Sequence, residues 1–333
     1  MSTNANVPPA LTPPIGRRVR AYFAPVNRAA GTPVIFDPAQ NAGFNLNSPP
    51  SPWLDLGWLG AFERKSGTKV IPLRSGAPGF PLSQVRTEID SLVEVNFLTW
   101  GKLQMAVTAG SEQMNLLATV SGAVANGSGG PGNTAQPLQS GSTASFLSLT
   151  ASQIANFSAG QLVAVDVDYT GQTGYVGSGV SGAYVSTTPS IQPDVNYIRR
   201  VTFNVGRISG VTSTGLQLAQ PLIAGAPTSG MAVQQIVGFV DREGSNFFHE
   251  WSGLFVIHGE QGDRIFLHYP RLQIASSGME SIKPLVAPLE KTVTLNRVAQ
   301  VAEFRALPVV DANDGAQVVC FRSYIPAAAC NVW

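Results

Sequence analysis

The sequence predicts a mainly β protein: a β-sandwich with a flanking helix, carrying a small inserted β-barrel or sandwich domain in mid-chain. Three observations carry this expectation. Apolar and polar residues alternate over Arg86–Thr99, short β-branched runs separated by glycine fill much of the chain, and charged residues nearly vanish between Gln113 and Val240. A period of two marks a half-buried strand. A composition break with charged sequence on both sides marks a module seated within a host.

Composition bounds the rest. The 333 residues leave room for about two domains at ~150 residues each. Only 12% are charged, against roughly 25% in an average soluble domain. Glycine (34) and proline (24) together stay below the level of low-complexity disorder. The chain can therefore bury real cores, and its surface is neutral-polar. Twenty-one basic and twenty acidic residues leave a net charge of +1, and no basic run exceeds two residues. A grip on DNA through counterion release is disfavoured, whereas passage of DNA is compatible. The two cysteines, Cys320 and Cys330, exclude a disulfide scaffold or a cysteine-based zinc finger. Met1–Pro14 is polar and proline-rich, with no signal-peptide pattern. The uncharged run Ile208–Val240 is broken by Pro221, Pro227 and many polar residues, so no membrane helix is expected, and assembly is expected in a cytoplasm.

The elements follow in order. Residues 1–14 read as an N-terminal arm. In Arg86–Thr99, Ile89, Val93, Val95 and Phe97 form an oily face, and Arg86, Glu88, Asp90, Glu94 and Asn96 a charged one, with Leu92 and Leu98 as exceptions. After Trp100, Leu103, Ala106, Val107 and Met114 recur at helical spacing, and Gly110 weakens that pattern. Residues 121–230 read as the inserted domain, entered through a Gly/Ser/Asn-rich linker over 121–142 and left through Gly225–Gly230. Its expected strands are Phe146–Leu149, Leu162–Val167, Ala183–Val185 and Asn196–Val205. The host is then discontinuous, 15–120 and 231–333. Within it, Gly253–His258 and Arg264–Tyr269 read as a hairpin joined by Gly259–Asp263. Lys291–Leu295, Ala302–Val310 and Gln317–Ile325 continue the strands, with Asn313-Asp314-Gly315 as a turn.

Catalytic and metal motifs are scarce. His249, His258 and His268 lie near Glu250 and Glu260, but hairpin pairing separates His258 from His268 along the ladder. No serine sits in a Gly-x-Ser-x-Gly elbow, Gly177-Ser178-Gly179 reads as a turn, and Cys320 alternates within a strand. The glycine tract from Gly127 lacks the Lys-Ser/Thr of a phosphate loop. Asp166 and Asp168 share a strand face and read as solvated. Asn126-Gly-Ser and Asn156-Phe-Ser match glycosylation sequons without a signal peptide to give them meaning. No catalysis, cofactor or metal is expected. The charged face of 86–96 is more informative: net acid at Glu88, Asp90 and Glu94 against Arg86 would repel phosphates and keep a polyanion from sticking.

The run Trp53-Leu-Asp-Leu-Gly-Trp-Leu-Gly through Gly67-Thr-Lys-Val-Ile-Pro-Leu-Arg-Ser-Gly resembles the major tail tube proteins of tailed bacteriophages, as does the strand-and-helix unit Glu88–Leu117. Gly259-Glu-Gln-Gly-Asp-Arg-Ile-Phe-Leu-His-Tyr-Pro-Arg and Gln317-Val-Val-Cys-Phe-Arg-Ser-Tyr are similar in style. The likeness covers about 15–120 and 231–326, and the segment 121–230 departs from it, resembling only loosely the small decoration barrels of phages. It implies a tail-tube-like β-sandwich that forms hexameric rings. These stack into a tube whose channel passes DNA without specific binding, with a tape measure protein and a tail terminator as further partners. A large outer domain implies a long, non-contractile tail and a place in the virion. On this reading Arg86, Glu88, Asp90, Glu94 and Asn96 line the channel. The segment Arg74–Gln84, with Arg74, Pro78, Phe80 and Leu82, is an inter-subunit loop without strand pattern. The alternative is a capsid or tail decoration or carbohydrate-binding module, which would want clustered aromatics; Trp53, Trp58, Trp100 and Trp251 are scattered.

Overall fold

The computed structural model describes residues 17–26, 32–99, 101–110, 112–118, 133–167, 199, 202–242, 250–260, 262–276, 280–282 and 298–327. The fold is mainly β, with large antiparallel sheets. The chain divides into two units, one holding Val34–Trp100 and Trp251–Trp333 with the N-terminal segment through Ala24, the other Gly101–Glu250 with Pro25–Pro33. Strands are numbered along the chain.

In the first unit, β1 (Arg17–Pro25), β2 (Leu54–Ser75), β3 (Phe80–Phe97), β11 (Glu250–Gly259), β12 (Arg264–Ser276), β13 (Glu280–Ile282), β14 (Val298–Leu307) and β17 (Phe321–Ile325) form one sheet. Its order is β13-β14-β3-β2-β1-β11-β12-β17, and β14 also pairs with β12, so the sheet curls round and closes on itself. Closure is possible because β12 is long. Its first half, Arg264–His268, pairs with β17, and Arg271–Ser276 pairs with β14. Two short strands, β15 (Val309–Val310) and β16 (Gln317–Val318), clip a turn that contains Gly315 at φ 73°.

Alternation on β1 builds two apolar layers. Ala21 and Phe23 point one way, and Phe23 meets Trp251, Phe255 and Phe304 at centroid distances of 5.5–6.1 Å. Tyr22 and Ala24 point the other way, into a cluster with Phe36, Trp53, Leu254, Val256 and Phe266. The β1–β2 connection covers that second face. Helix α1 (Pro38–Asn41) within it starts at Asp37, whose carboxylate accepts from Ala39 N at 2.8 Å. Arg264 Nη1 donates to Ala42 O and Phe44 O, and Tyr22 OH donates to Leu46 O, all at 2.8 Å. Burying each large side chain contributes about 1.5–3 kcal/mol. The interior is close enough that a Cβ on Gly253 would come within 2.4 Å of Leu272 Cδ1.

The second unit is a seven-stranded sheet in the order β4-β10-β7-β8-β9-β6, with β5 also on β10. The strands are β4 (Glu112–Leu117), β5 (Gln136–Pro137), β6 (Phe146–Ser148), β7 (Leu162–Asp166), β8 (Val205–Val211), β9 (Gly215–Leu218) and β10 (Ala232–Arg242). Leu147, Val163, Val165, Ile208, Leu216 and Val233 form its main core, and Leu117, Ala164 and Ile236 a smaller one. Helix α2 (Lys102–Ala109) ends at Gly110, which takes the left-handed φ of 58° that closes a helix. Helix α3 (Ala151–Ile154) begins at Thr150, whose N–H donates to Gln153 Oε1.

Several sequence expectations shift. The unit boundaries fall after Trp100 and Glu250, not at 121 and 230, because β4 pairs with β10 from Leu117↔Ile236 to Glu112↔Arg242. The charge desert, Gln113–Val240, takes in most of β4 and β10; it was the Gly/Ser/Asn-rich and Gly/Pro-rich stretches that drew the expected bounds inward to 121 and 230. Gly225–Gly230 is a turn inside that unit; of the expected linker 121–142, residues from 133 on belong to it, Gln136 and Pro137 pairing with β10, and 121–132 lie outside the described residues. Gly110 terminates the helix, and Met114 belongs to β4. Of the strand expected over Asn196–Val205, residues 202–204 are not strand and β8 starts at Val205, while 196–198, 200 and 201 lie outside the described residues. Gln317–Ile325 is interrupted at residues 319–320, so Cys320 sits between strands. Asp166 is buried, not solvated, and its Oδ1 accepts from Val167 N. The arm 1–14, Ala183–Val185, Lys291–Leu295, Asp168, His249 and Cys330 lie outside the described residues.

Candidate self-assembly surface

Strands β2 and β3 pair from Leu59↔Phe97 out to Ser75↔Phe80. Only the base of this hairpin belongs to the closed sheet: β1 pairs with β2 over Leu54–Trp58, and β14 with β3 over Leu92–Phe97. Beyond that, among the described residues, 66–75 and 80–91 pair only with each other and form a two-stranded ribbon, closed by a turn at Gly76–Gly79. At ~3.3 Å per residue, ten residues extend it by about 33 Å.

Arg74, Pro78, Phe80 and Leu82, expected in an unstructured loop, are therefore at the end of this ribbon. Arg74 pairs with Pro81, Pro78 lies in the turn, Phe80 pairs with Ser75, and Leu82 is the extra residue of a bulge. The strand pattern escaped notice because the ribbon has no buried face, so polar–apolar alternation has no reason to appear. Instead Val70, Ile71, Leu73, Phe80, Leu82, Val85 and Ile89 are all exposed, Phe80 at 65% and Leu82 at 73%. A free-standing hairpin is marginal in water. One with apolar side chains on both faces and two unpaired edges is built to be covered.

The expected channel-lining set is divided by a second bulge. Lys69 pairs with Glu88 and Val70 with Arg86, leaving Thr87 as the extra residue, its Oγ1 donating to Lys69 O at 3.2 Å. Lys69 and Val70 point to opposite faces, so Arg86 is on the face opposite Glu88. Glu88, Asp90, Glu94 and Asn96 do share the outer face, opposite the buried Val93, Val95 and Phe97. Asn96 Oδ1 is itself buried and without a partner, so it does not present its carbonyl outward.

The acids expected to stand against Arg86 alone are paired. Lys69 Nζ lies 3.0 Å from Glu88, Lys65 Nζ 3.4 Å from Glu94, and Arg305 Nε 3.2 Å from Asp90. Two further carboxylates join them from other strands: Glu63 on β2 and Glu303 on β14 both stand directly opposite Glu94. Three glutamates abreast repel one another, and the row is kept on a hydrated face. Over these three strands, the five named carboxylates outnumber Lys65, Lys69 and Arg305 by two. Glu63 and Glu303 were out of reach of a one-strand reading, because only register brings them beside Glu94.

His268 is stacked on Phe321 at 5.9 Å and meets Trp53 edge-on, with Nε2 3.2 Å from Val34 O; burial lowers its pKa to about 4. Burial raises the Cys320 thiol. Among the described residues, no group of three or more His, Cys, Asp or Glu could hold a metal ion. Trp53 and Trp251 are buried, and Trp58 lies under the Arg20 guanidinium at 5.3 Å. No described helix is long and apolar enough to cross a membrane.

Compared with protein-family models and with curated proteins, the chain matches none of either.

Proposed function

We propose that this chain is a structural subunit that assembles with copies of itself, of the kind that builds the tail tube of a tailed bacteriophage. The observation that carries this is the ribbon, which exposes apolar side chains on both faces and, among the described residues, pairs only with itself. A second copy offers edges to pair with and apolar surface to cover. In a ring of copies, stacked on further rings, the outer face of β2, β3 and β14 gives a hydrated, net-acidic wall past which DNA moves without sticking. The likeness of Trp53–Gly76 and Glu88–Leu117 to tail tube proteins supports the same reading, with hexameric rings and a long, non-contractile virion tail.

Negative-stain microscopy of the purified protein over a concentration series tests it. Hollow rings or tubes are expected; a protein that stays monomeric at the highest soluble concentration overturns the reading.

A further inference from the structure

We infer that Lys102 and Asn115 form a self-crosslinking site, in which the lysine amine and the asparagine carboxamide condense to an isopeptide bond within the second unit. Lys102 opens helix α2 and Asn115 lies on β4. Lys102 Nζ is 2.8 Å from Asn115 Oδ1, 2.7 Å from Thr202 O and 4.5 Å from the centre of the Phe203 ring. Asn115 is buried, and its Nδ2 donates to Arg199 O at 2.7 Å and Thr202 O at 2.9 Å. Those two carbonyls fix the carboxamide's orientation, so Oδ1 is the atom that faces the amine.

A protonated lysine in such a place needs a counter-ion, and among the described residues no carboxylate forms an ion pair with Lys102. Burial alone pulls its pKa down to about 7. The residue as a whole is half-buried, with its amine held between Asn115 Oδ1, Thr202 O and the Phe203 ring. The described groups facing Nζ are Asn115, Thr202 and Phe203, none of which titrates. A neutral amine has two N–H bonds, which match Asn115 Oδ1 and Thr202 O, and a lone pair left over. That lone pair makes Nζ a nucleophile hydrogen-bonded to the very oxygen that Asn115 Cγ carries.

The step balances without an oxidant or co-reactant. The Nζ lone pair attacks Cγ and forms the new C–N bond, one Nζ proton passes to Nδ2, the Cγ–Nδ2 bond breaks, and ammonia leaves. With no carboxylate to relay the proton, the reaction relies on the amine's own hydrogen and is slow. Its product ties α2 to β4 covalently.

The test uses the full chain. Intact mass is followed with time at pH values above and below the lysine's midpoint, and the protein is then cut after Glu112 by a glutamate-specific protease. Loss of the mass of one ammonia is expected, faster at the higher pH, with the segments on the two sides of Glu112 remaining joined through Lys102 and Asn115. Lys102→Arg keeps hydrogen-bond donors without the nucleophile and should retain full mass. Because that variant stresses a buried site, the digest of the wild type decides by itself. A folded wild type that keeps its full mass at both pH values, and whose two segments separate, overturns the inference.

Discussion

Lys69 and Glu88 stand opposite each other across the β2–β3 ribbon, Nζ to Oε2 at 3.0 Å, while one rung further out Arg86 has crossed to the other face. Both partners of the Lys69–Glu88 pair are well exposed, and exposed pairs are worth only ~0–1 kcal/mol. Charge reversal by Glu88→Lys with Asp90→Lys should therefore leave chemical denaturation almost unchanged. Its effect should appear in transport: tubes should still form, and DNA should leave them more slowly, because each new lysine repeats around every ring as a phosphate contact. Ejection at the normal rate from virions carrying the double variant would remove the acidic face from the mechanism.

The ribbon tip is a cleaner target. Phe80 and Leu82 bury little surface in one chain, so Phe80→Ser and Leu82→Ser should shift the stability of the monomer by no more than about 0.5 kcal/mol. Assembly should suffer far more. Burial of two large side chains contributes a few kcal/mol at each copy-to-copy contact by the usual ~25 cal/mol per Å². Sedimentation should show subunits where the wild type forms polymers. Polymerisation at the wild-type threshold would mean that other surfaces join the copies.

His268 gives the first unit an acid sensitivity. Burial lowers its pKa from 6.5 to about 4, only partly offset by the hydrogen bond to Val34 O. Between these values the unfolded chain binds a proton that the folded chain refuses, so stability falls as pH falls through the window. The loss amounts to about 3 kcal/mol at its acid end. His268→Gln should be less stable near neutrality, from lost packing on Phe321 and Trp53, but its stability should depend less on pH. Equal slopes for the two proteins in denaturation curves across the window would show that the imidazole does not titrate as its burial requires.

How far the sequence spoke depended on whether a residue's environment was local. Val93, Val95 and Phe97 announce their strand because one face meets a core within the same chain. The outer strand from Phe80 to Ile89 has no such face, and Pro78, Phe80 and Leu82 read as loop although they are ladder and turn. The bulge at Thr87 was equally silent, since an extra residue leaves no trace in alternation until its partner strand is known. Lys102 and Asn115 carried no motif: their contact depends on Thr202 and Phe203, far along the chain, folding over β4. The missing charges between Gln113 and Val240 reach into β4 and β10, whereas the Gly-rich stretches that read as linkers lie inside the second unit, so the expected edges fell too far inward.

Those edges make a direct prediction about excision. Removing 121–230 deletes β5 to β9 and leaves α2, β4 and all of β10 without the rest of their sheet. Leu117 and Ile236 lose Ala164, their partner in the smaller core, and β10 exposes the edge that had paired with β7. Such a chain should aggregate through that open edge. Removing 101–250 and joining the ends by a short flexible loop takes out the second unit except for Pro25–Pro33. It leaves the pairings of β14 with β3 and β12 untouched, with the cores around Phe23 and Trp53 intact. That shorter chain should stay soluble, keep a cooperative β-type unfolding transition, and, because it retains the β2–β3 ribbon, still form tubes. Circular dichroism and gel filtration check the first outcome, and negative-stain microscopy the second. A soluble 121–230 deletion beside an insoluble 101–250 deletion would return the boundary to where the linker-like Gly/Ser/Pro stretches had put it.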